Sequence, residues 1–203
     1  PETAAEAETL PADTAFSTGD APGVDAHARR AVELVRGRPP SAAVARALGQ
    51  AARFAMLDGR WREAIETGGE AERMAADLGL DAIRADALAT LGTARDDFGE
   101  PGGDRDLELA VELAEAANAP LPLSRALNNL AWRYSRVDLR RTHELQQRNY
   151  ETMQRYGHVG QTWWARGQLA GSAYDLGRWD EALEHIEAVL AYVAAGTPHY
   201  FES

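Results

Sequence analysis

Residues 168–190, QLAGSAYDLGRWDEALEHIEAVL, decide the predicted fold of this chain. They contain two apolar helical faces joined by the turn Leu-Gly-Arg-Trp. Gly177 can adopt the left-handed conformation that ends a helix, and Asp180 is expected to open the next one. Helices joined by so short a turn must run antiparallel and bury their apolar faces against each other. The residues expected to face inward are Leu169, Ala170, Ala173, Leu176, Ala182, Leu183, Ile186, Val189 and Leu190.

The same unit occurs earlier in the chain. Residues 57–65, LDGRWREAI, match the turn of residues 176–183 when Gly59 is aligned with Gly177. The two glycines are 118 positions apart, which corresponds to about three periods of 39 to 40 residues. This spacing predicts two degenerate copies with turns near Gly99 and Asp138. Two helices per period of this length indicate an α-solenoid.

The residues at matching places of the four units resemble tetratricopeptide-like (TPR-like) repeats. The pairs on the first helices are Ala51-Ala52, Leu91-Gly92, Leu130-Ala131 and Leu169-Ala170, the turn aromatics are Trp61 and Trp179, and the second-helix alanines are Ala64 and Ala182. The long period is similar to that of repeats in large bacterial ATPase- or cyclase-linked proteins and transcriptional regulators. The resemblance implies an all-α, right-handed solenoid of about four antiparallel helix pairs with an N-terminal capping helix.

The repeats also predict the domain organisation. Residues 1–24 form an irregular N-terminal arm, because Pro11 and Pro22 interrupt any long helix. Residues 25–203 form the TPR-like domain, in which a helix over residues 25–36 caps the repeats and Ser41 is the N-cap of the next helix. The four units are expected at residues 41–78, 81–118, 121–157 and 159–196. Because the chain begins with Pro1 and not Met, we expect it to be a piece of a longer polypeptide.

Composition excludes several classes of function. The chain has 203 residues, a net charge of −11, and 21 basic residues that are all Arg. An acidic chain with dispersed Arg is not expected to bind nucleic acid. Without Lys it cannot contain a Walker-type phosphate loop, and without Cys it has no disulfides or thiolate chemistry. No apolar run approaches the roughly 20 residues of a membrane helix, so no membrane contact and a cytoplasmic location are expected.

The sequence shows no pattern for catalysis. No two of the five histidines are separated by four residues, and no Gly-x-Ser-x-Gly motif is present. His143 and His185 are expected on second helices, at the surface or between helices. The predictions are therefore a non-enzyme with no metal and no cofactor.

The predicted functional surface follows from the resemblance, in which the first helices line a concave groove. Arg and Asn side chains can hold a peptide backbone or carboxylate, and Trp supplies apolar contact area. Asp86 and Thr90 take matching places in unit two. Alternatively, Trp132, Trp163 and Trp164 fill the core between units three and four, and Asn128-Asn129 bond only helix ends or water. The candidate groove residues are Arg125, Asn128, Asn129, Trp132, Trp164, Gln168, Arg53 and Tyr174.

Together these features predict a non-catalytic protein- or peptide-interaction or sensor module, a fragment of a larger bacterial signalling or transcription-regulatory protein. The expected partner is a protein or peptide segment, or another domain of the parent chain. Two alternatives stay open at this point. One is a small-molecule effector site within the superhelix groove, and the other is a structural spacer or dimerisation element that forms a homodimer.

Overall fold

The computed structural model describes Glu8 and residues 21–195 of the chain. Within that part the regular secondary structure is entirely α-helical. The helices are α1 (Ala21–Val35), α2 (Ala42–Leu57), α3 (Trp61–Asp77), α4 (Asp81–Phe98), α5 (Gly103–Ala116), α6 (Pro120–Tyr134), α7 (Leu139–Tyr156), α8 (Val159–Asp175) and α9 (Trp179–Ala194). Helix α1 begins four residues before the predicted start at Asp25. The rest of the predicted arm lies outside the described residues, Glu8 excepted.

The two Gly-Arg-Trp turns have the same backbone geometry. Gly59 and Gly177 have φ of 74° and 73°, which confirms the left-handed conformation predicted for Gly177. The N–H of Arg60 donates to the carbonyl of Ala55 at 2.8 Å, and that of Arg178 donates to Ala173 at 2.9 Å. These bonds close each helix and direct the chain into the next one. Four antiparallel helix pairs result, α2–α3, α4–α5, α6–α7 and α8–α9, and the fold is an all-α solenoid of TPR-like pairs.

The observed N-caps agree with the sequence-based prediction at α2 and differ from it at α9. The Ser41 hydroxyl accepts a hydrogen bond from the N–H of Val44, which confirms Ser41 as the N-cap of α2. Asp180 does not cap α9, because that helix already begins at Trp179 and Asp180 lies in its first turn. There its negative charge interacts favourably with the positive end of the helix dipole. The turn predicted near residue 138 is also present, and Asp138 caps α7.

The described chain divides into two compact units, and the first extends to Ala126. In this unit α1 packs on α2, and α2 contacts both α3 and α4. A single cluster of buried side chains connects these four helices. It comprises Ala31, Val35, Val44, Ala47, Leu48, Ala71 and Ala87. Small residues at these places allow the helices to approach closely, and burial of the larger ones stabilises the unit by about 25 cal/mol per Å² of apolar surface.

Helices α4 and α5 meet backbone to backbone. A Cβ added to Gly92 would lie 2.8 Å from the carbonyl oxygen of Gly103, and one added to Gly103 would lie 2.6 Å from that of Gly92. Both separations are shorter than any van der Waals contact permits. Gly92 is therefore required where the other first helices carry Ala52, Ala131 or Ala170.

The second unit begins at Leu127 and includes α7, α8 and α9. Its largest fully buried side chains are Leu127, Asn149, Met153 and Leu169. Helix α8 contacts α7 on one side and α9 on the other.

The inner stripe predicted for α9 is only partly correct. Ala182 and Val189 are buried, but Leu183, Ile186 and Leu190 are 56%, 38% and 61% exposed. Within the described second unit, the helix packed against α9 is α8, and it covers one side of α9. The other apolar side faces outward, so the prediction that these three residues are buried is wrong.

Candidate functional site

Two of the predicted groove residues belong to the first unit. Arg53 lies on α2 and is half-buried, and its guanidinium carbon is 5.8 Å from the centre of the Phe54 ring. Arg125 lies on α6 and is also half-buried. Its place in the sequence is 39 positions after Asp86, one full period.

The Arg125 guanidinium is bonded to the preceding first helix. Its Nη1 lies 2.9 Å from the Asp86 carboxylate, and its Nη2 donates to the backbone carbonyl of Asp86 at 2.5 Å. Nη2 also donates to the hydroxyl of Thr90, which is fully buried. Asp86 and Thr90 are the residues that the sequence places in unit two of the same groove. Arg125 therefore holds α6 against α4, and any ligand that it contacts must share the guanidinium with Asp86.

Amide side chains form a row in the second unit. The Gln146 amide donates to the Asn128 side-chain oxygen at 3.1 Å, and the Asn128 amide approaches the Asn129 oxygen at 3.5 Å. Gln146 comes from α7 and is 5% exposed, whereas Asn128 and Asn129 are half-buried. Asn149 lies almost one turn further along α7, fully buried. Asn128 is thus hydrogen-bonded to a side chain in the middle of α7, and not only to helix ends or water.

The remaining predicted residues lie on α6 and α8. Trp132 is 58% exposed and Tyr174 is 67% exposed, while Trp164 and Gln168 are half-buried. Exposure of this size excludes the alternative that Trp132 fills the core. Exposed aromatic side chains on first helices are the kind of surface that a partner can cover.

A polar cluster surrounds the buried side chain of His143. From the sequence, His143 was expected only to lie on a second helix, at the surface or between helices. His143 Nδ1 lies 3.0 Å from the Ser172 hydroxyl, and Nε2 lies 3.0 Å from Arg178 Nη1. Ser172 in turn donates to the carbonyl of Leu169. Because Arg178 can only donate, Nε2 accepts, and the proton of the neutral ring is on Nδ1. Burial lowers the pKa of His143, which favours this neutral ring, although Glu181 at 3.3 Å from Nε2 opposes the effect.

This arrangement of His143 does not prepare a nucleophile. A nucleophilic serine donates its proton to the histidine, whereas Ser172 donates to a backbone carbonyl and accepts from the ring. The cluster instead connects the turn at Arg178 to α7 and α8. The only sign of this cluster in the sequence was the position of His143 on the predicted second helix of unit three. The other face of that helix is polar.

A second cluster surrounds Arg166 on α8. Its guanidinium carbon lies 5.9 Å from the Tyr150 ring centre and 5.5 Å from that of Trp163, within cation–π range. Trp163 stacks on Tyr192 with ring centres 4.4 Å apart, and Arg166 donates to His185 at 3.3 Å. Burial first, and then Arg166, lower the pKa of His185. These side chains connect α8 to α7 and α9, so Trp163 has the packing role that the sequence left open.

The first unit also contains a cavity of about 520 Å³ between α1, α2 and α3. Val44, Leu48, Ala51 and Met74 supply apolar lining, and charged side chains of both signs contribute the rest. The charged lining consists of Arg29, Glu33, Arg36, Arg38, Arg60, Glu63 and Glu70. Sequence reasoning missed this cavity because it treated α1 only as a cap.

Over Glu8 and residues 21–195, no three His, Asp or Glu side chains are grouped so that they could hold a metal ion. No helix in the same part of the chain has both the length and the apolarity needed to cross a membrane.

Comparison with solved structures identifies the fold. A Rap protein complexed with competence and sporulation factor superposes with a TM-score of 0.79, at 15% identity over 92% of this chain and 53% of that chain. BtubC from P. vanneervenii gives 0.69, at 18% identity over 98% and 84% of the two chains. A signal transduction ATPase from Pyrococcus horikoshii with a tetratricopeptide repeat sensor gives 0.64, at 12% identity over 98% and 31%. These likenesses show a TPR-like helical repeat fold.

Comparison of the sequence assigns the chain to no protein family. No protein-family model matches the chain, and the comparison with curated proteins gives no match.

Proposed function

We propose that this chain is a non-catalytic interaction or sensor module that binds a peptide or protein segment on its first helices. The observation that carries the proposal is the surface of α6 and α8, where the exposed Trp132 and Tyr174 accompany the half-buried amides of Asn128 and Asn129. Aromatic faces supply binding energy on desolvation, and amides pair with a peptide backbone. In the second unit, the binding residues proposed are Asn128, Asn129, Trp132, Trp164, Gln168 and Tyr174. Arg53 and Arg125 are proposed separately, as binding residues on the first helices of the first unit.

The contacts give these residues different roles. Trp132 and Tyr174 are contact residues, because their side chains are free to be covered. Asn128 is held by Gln146 from α7, so its amide is preorganised for a ligand. Arg125 acts as a positioning residue, because its guanidinium joins α6 to Asp86 and Thr90 of α4.

The fold comparisons support the interaction role. The Rap protein was solved with competence and sporulation factor bound, and the Pyrococcus horikoshii ATPase carries its repeats as a sensor. By analogy, we infer that this chain serves a larger bacterial signalling or regulatory protein by binding a peptide, a protein segment or another domain of that protein.

A displayed library of random 12-residue peptides tests the proposal. The chain is expected to select peptides whose binding is weakened at least tenfold by Trp132→Ala combined with Asn129→Ala. Tyr156→Ala is the control, because Tyr156 is a partly exposed aromatic residue on a second helix, at the end of α7. Peptides that bind the double variant as tightly as the original chain would show that the surface of α6 is not the binding site.

The cavity in the first unit favours a second candidate, a small-ligand effector site. Its volume is in the range of ligand pockets, and its lining of apolar and charged side chains suits an amphiphilic metabolite that carries a carboxylate or an amine. A thermal-shift panel of amino acids and small carboxylic acids tests it, since a ligand at 100 times its Kd adds about 2.7 kcal/mol of stability. A shift that Thr67→Trp abolishes supports the site, because Thr67 lines the cavity and is only partly buried. A panel without any shift contradicts it.

A further inference from the structure

The cavity between α1, α2 and α3 is apolar on its inner side and charged toward solvent. Among its apolar lining, Val35, Val44 and Leu48 are buried, at 2%, 4% and 7% exposure. The charged side chains that line it are exposed, with the exception of the half-buried Arg60. A ligand that fits this cavity therefore has an apolar part on the inner side and a polar head group toward solvent.

Some of the lining charges already have partners within the first unit. The Arg60 guanidinium pairs with Asp58 at 2.8 Å and with Glu63 at 2.6 Å. Glu33 on α1 pairs with Arg30 at 3.3 Å. Paired charges of opposite sign largely cancel at the distance of a ligand. The charge of the head group is then selected by the other lining residues.

Two arginines of the α1–α2 turn are available to a ligand. Both Arg36 and Arg38 line the cavity, and over the described part of the chain neither guanidinium has an ion pair or a hydrogen bond. The backbone of the turn that carries them is fixed. The N–H of Arg36 donates to the carbonyl of Val32 at 2.9 Å, and that of Arg38 donates to Val35 at 3.0 Å. Two guanidiniums on a fixed turn can share one anionic group.

The charge that opposes an anion is the Glu70 carboxylate on α3. It lines the cavity and has no ion pair among the described residues. One carboxylate against the two guanidiniums of Arg36 and Arg38 leaves an excess of positive charge, in a chain whose net charge is −11. An amine would be attracted by Glu70 and repelled by both arginines. A carboxylate is thus the head group that these charges favour.

We propose that the cavity binds an aliphatic carboxylate, with the head group at Arg36 and Arg38 and the hydrocarbon chain against Val35, Val44 and Leu48. This assignment rests on the small-ligand site proposed above for the first unit, and it selects a carboxylate over an amine. Because α1, α2 and α3 all line the cavity, the bound ligand connects α1 to the first helix pair. Binding is therefore expected to slow hydrogen exchange of the α1 backbone amides.

Two ligands of opposite charge test the assignment. Octanoate and octylamine have hydrocarbon chains of similar length and differ in the charge of the head group. Isothermal titration calorimetry is expected to show saturable binding of octanoate that weakens as salt rises, and at least tenfold weaker binding of octylamine. Arg36→Gln combined with Arg38→Gln should weaken octanoate binding at least tenfold. Glu70→Gln should strengthen it, because the opposing carboxylate is removed.

Control variants separate the site from its chemistry. Arg73→Gln removes an exposed arginine of α3 that is not part of the cavity lining, and it should leave octanoate binding unchanged. Thr67→Trp should abolish binding, because Thr67 lines the cavity. Circular dichroism verifies that each variant is folded.

The possible failures are distinguishable. Octylamine that binds as tightly as octanoate, or an R36Q/R38Q variant that binds octanoate as tightly as the original chain, would overturn the carboxylate assignment and leave the small-ligand site in place. Octanoate binding that T67W does not reduce would place the ligand outside the cavity and overturn the assignment as well. If neither ligand binds, both the assignment and the small-ligand site are contradicted.

Discussion

Helices α3 and α9 begin with the same turn, yet the tryptophan after that turn has two different environments. Trp61 is half-buried beside Ala55, Met56, Ala64 and Ala94. Trp179 follows an identical Gly-Arg pair and is 66% exposed. The local sequence determines the turn, while the neighbouring helix determines the burial of the side chain that follows it. The comparison teaches that motif identity in a repeat protein does not fix the contribution of a residue to stability.

The largest expected difference is between the two tryptophans. Trp61→Ala should lower the free energy of unfolding by about 2 to 3 kcal/mol, because it removes a large side chain from a packed cluster. Trp179→Ala should change it by no more than about 0.5 kcal/mol, because the ring is mostly in water. Urea unfolding followed by circular dichroism measures both. Equal losses for the two variants would contradict the comparison.

The next effect concerns the residue seven positions after each tryptophan, Gly68 in α3 and Ile186 in α9. Gly68→Ile should destabilise the protein by about 2 kcal/mol, because the space between Ala52 and Leu91 does not hold an isoleucine. Gly68→Ala is the matched control and should stabilise by roughly 0.5 to 1 kcal/mol. Its Cβ would make ordinary contacts of 3.5 and 3.9 Å, and alanine favours the helix. Denaturant midpoints distinguish the two, and a stabilising G68I would refute this account.

The contributions of the two Gly-Arg-Trp turns to the free energy of unfolding should also depend differently on pH. Arg178 meets His143, whose pKa is lowered by burial, whereas Arg60 meets the carboxylates of Asp58 and Glu63. The unfolded chain therefore takes up a proton at His143 more readily than the folded chain does. This contribution to stability is complete above the ordinary histidine pKa near 6.5 and is lost as pH falls below it.

The measurement is the free energy of unfolding from pH 7.5 to 5 for the original chain and for His143→Gln. The variant should flatten the pH dependence, by at most about 1.4 kcal/mol per pH unit for the single proton involved. Arg60→Gln should leave the slope unchanged. His185→Gln is a second comparison, because burial and Arg166 lower the pKa of that ring too. A slope that H143Q does not alter would show that His143 titrates alike in both states.

The smallest expected effect is the ion pair that distinguishes the covered helix from the exposed one. Glu72 and Arg84 join α3 to α4 at 2.8 Å, with side chains 16% and 29% exposed. A double-mutant cycle with Glu72→Gln and Arg84→Gln should give a coupling of about 0.5 to 1 kcal/mol that declines with salt. A coupling near zero would mean that apolar contacts alone hold α4 on α3.

The turns were predictable because their causes are local. A glycine in the left-handed conformation and two apolar periodicities are contained in a short stretch of sequence, and both Gly59 and Gly177 behave accordingly. Which apolar side is covered depends on helices elsewhere in the chain, so Leu183, Ile186 and Leu190 were assigned to the core wrongly. A Cβ added to Gly69 would meet nothing within 4 Å, and nothing in the structure explains this glycine.

The same difference between local causes and long-range contacts applies to the candidate site. Trp132 and Tyr174 could be placed on the surface of first helices from repeat positions alone, and their exposure agrees with that placement. The hydrogen bonds around that surface could not be predicted. Asn128 is fixed by Gln146, and Arg125 by Asp86 one period earlier, and side-chain pairing of this kind requires the interhelical distances. The cavity between α1, α2 and α3 could not be predicted either, because it depends on how α1 packs against the other two helices.

The step of 39 residues between Asp86 and Arg125 has a consequence for how the protein forms. Within each unit, the helices that contact one another are neighbours in the chain or next but one, as α2 and α4 are. Short sequence separations between partners favour rapid folding, because little loop entropy is lost before each contact forms. During synthesis α4 can pack on α2 and α3 before the second unit has been made, so the first unit can form stepwise on the ribosome.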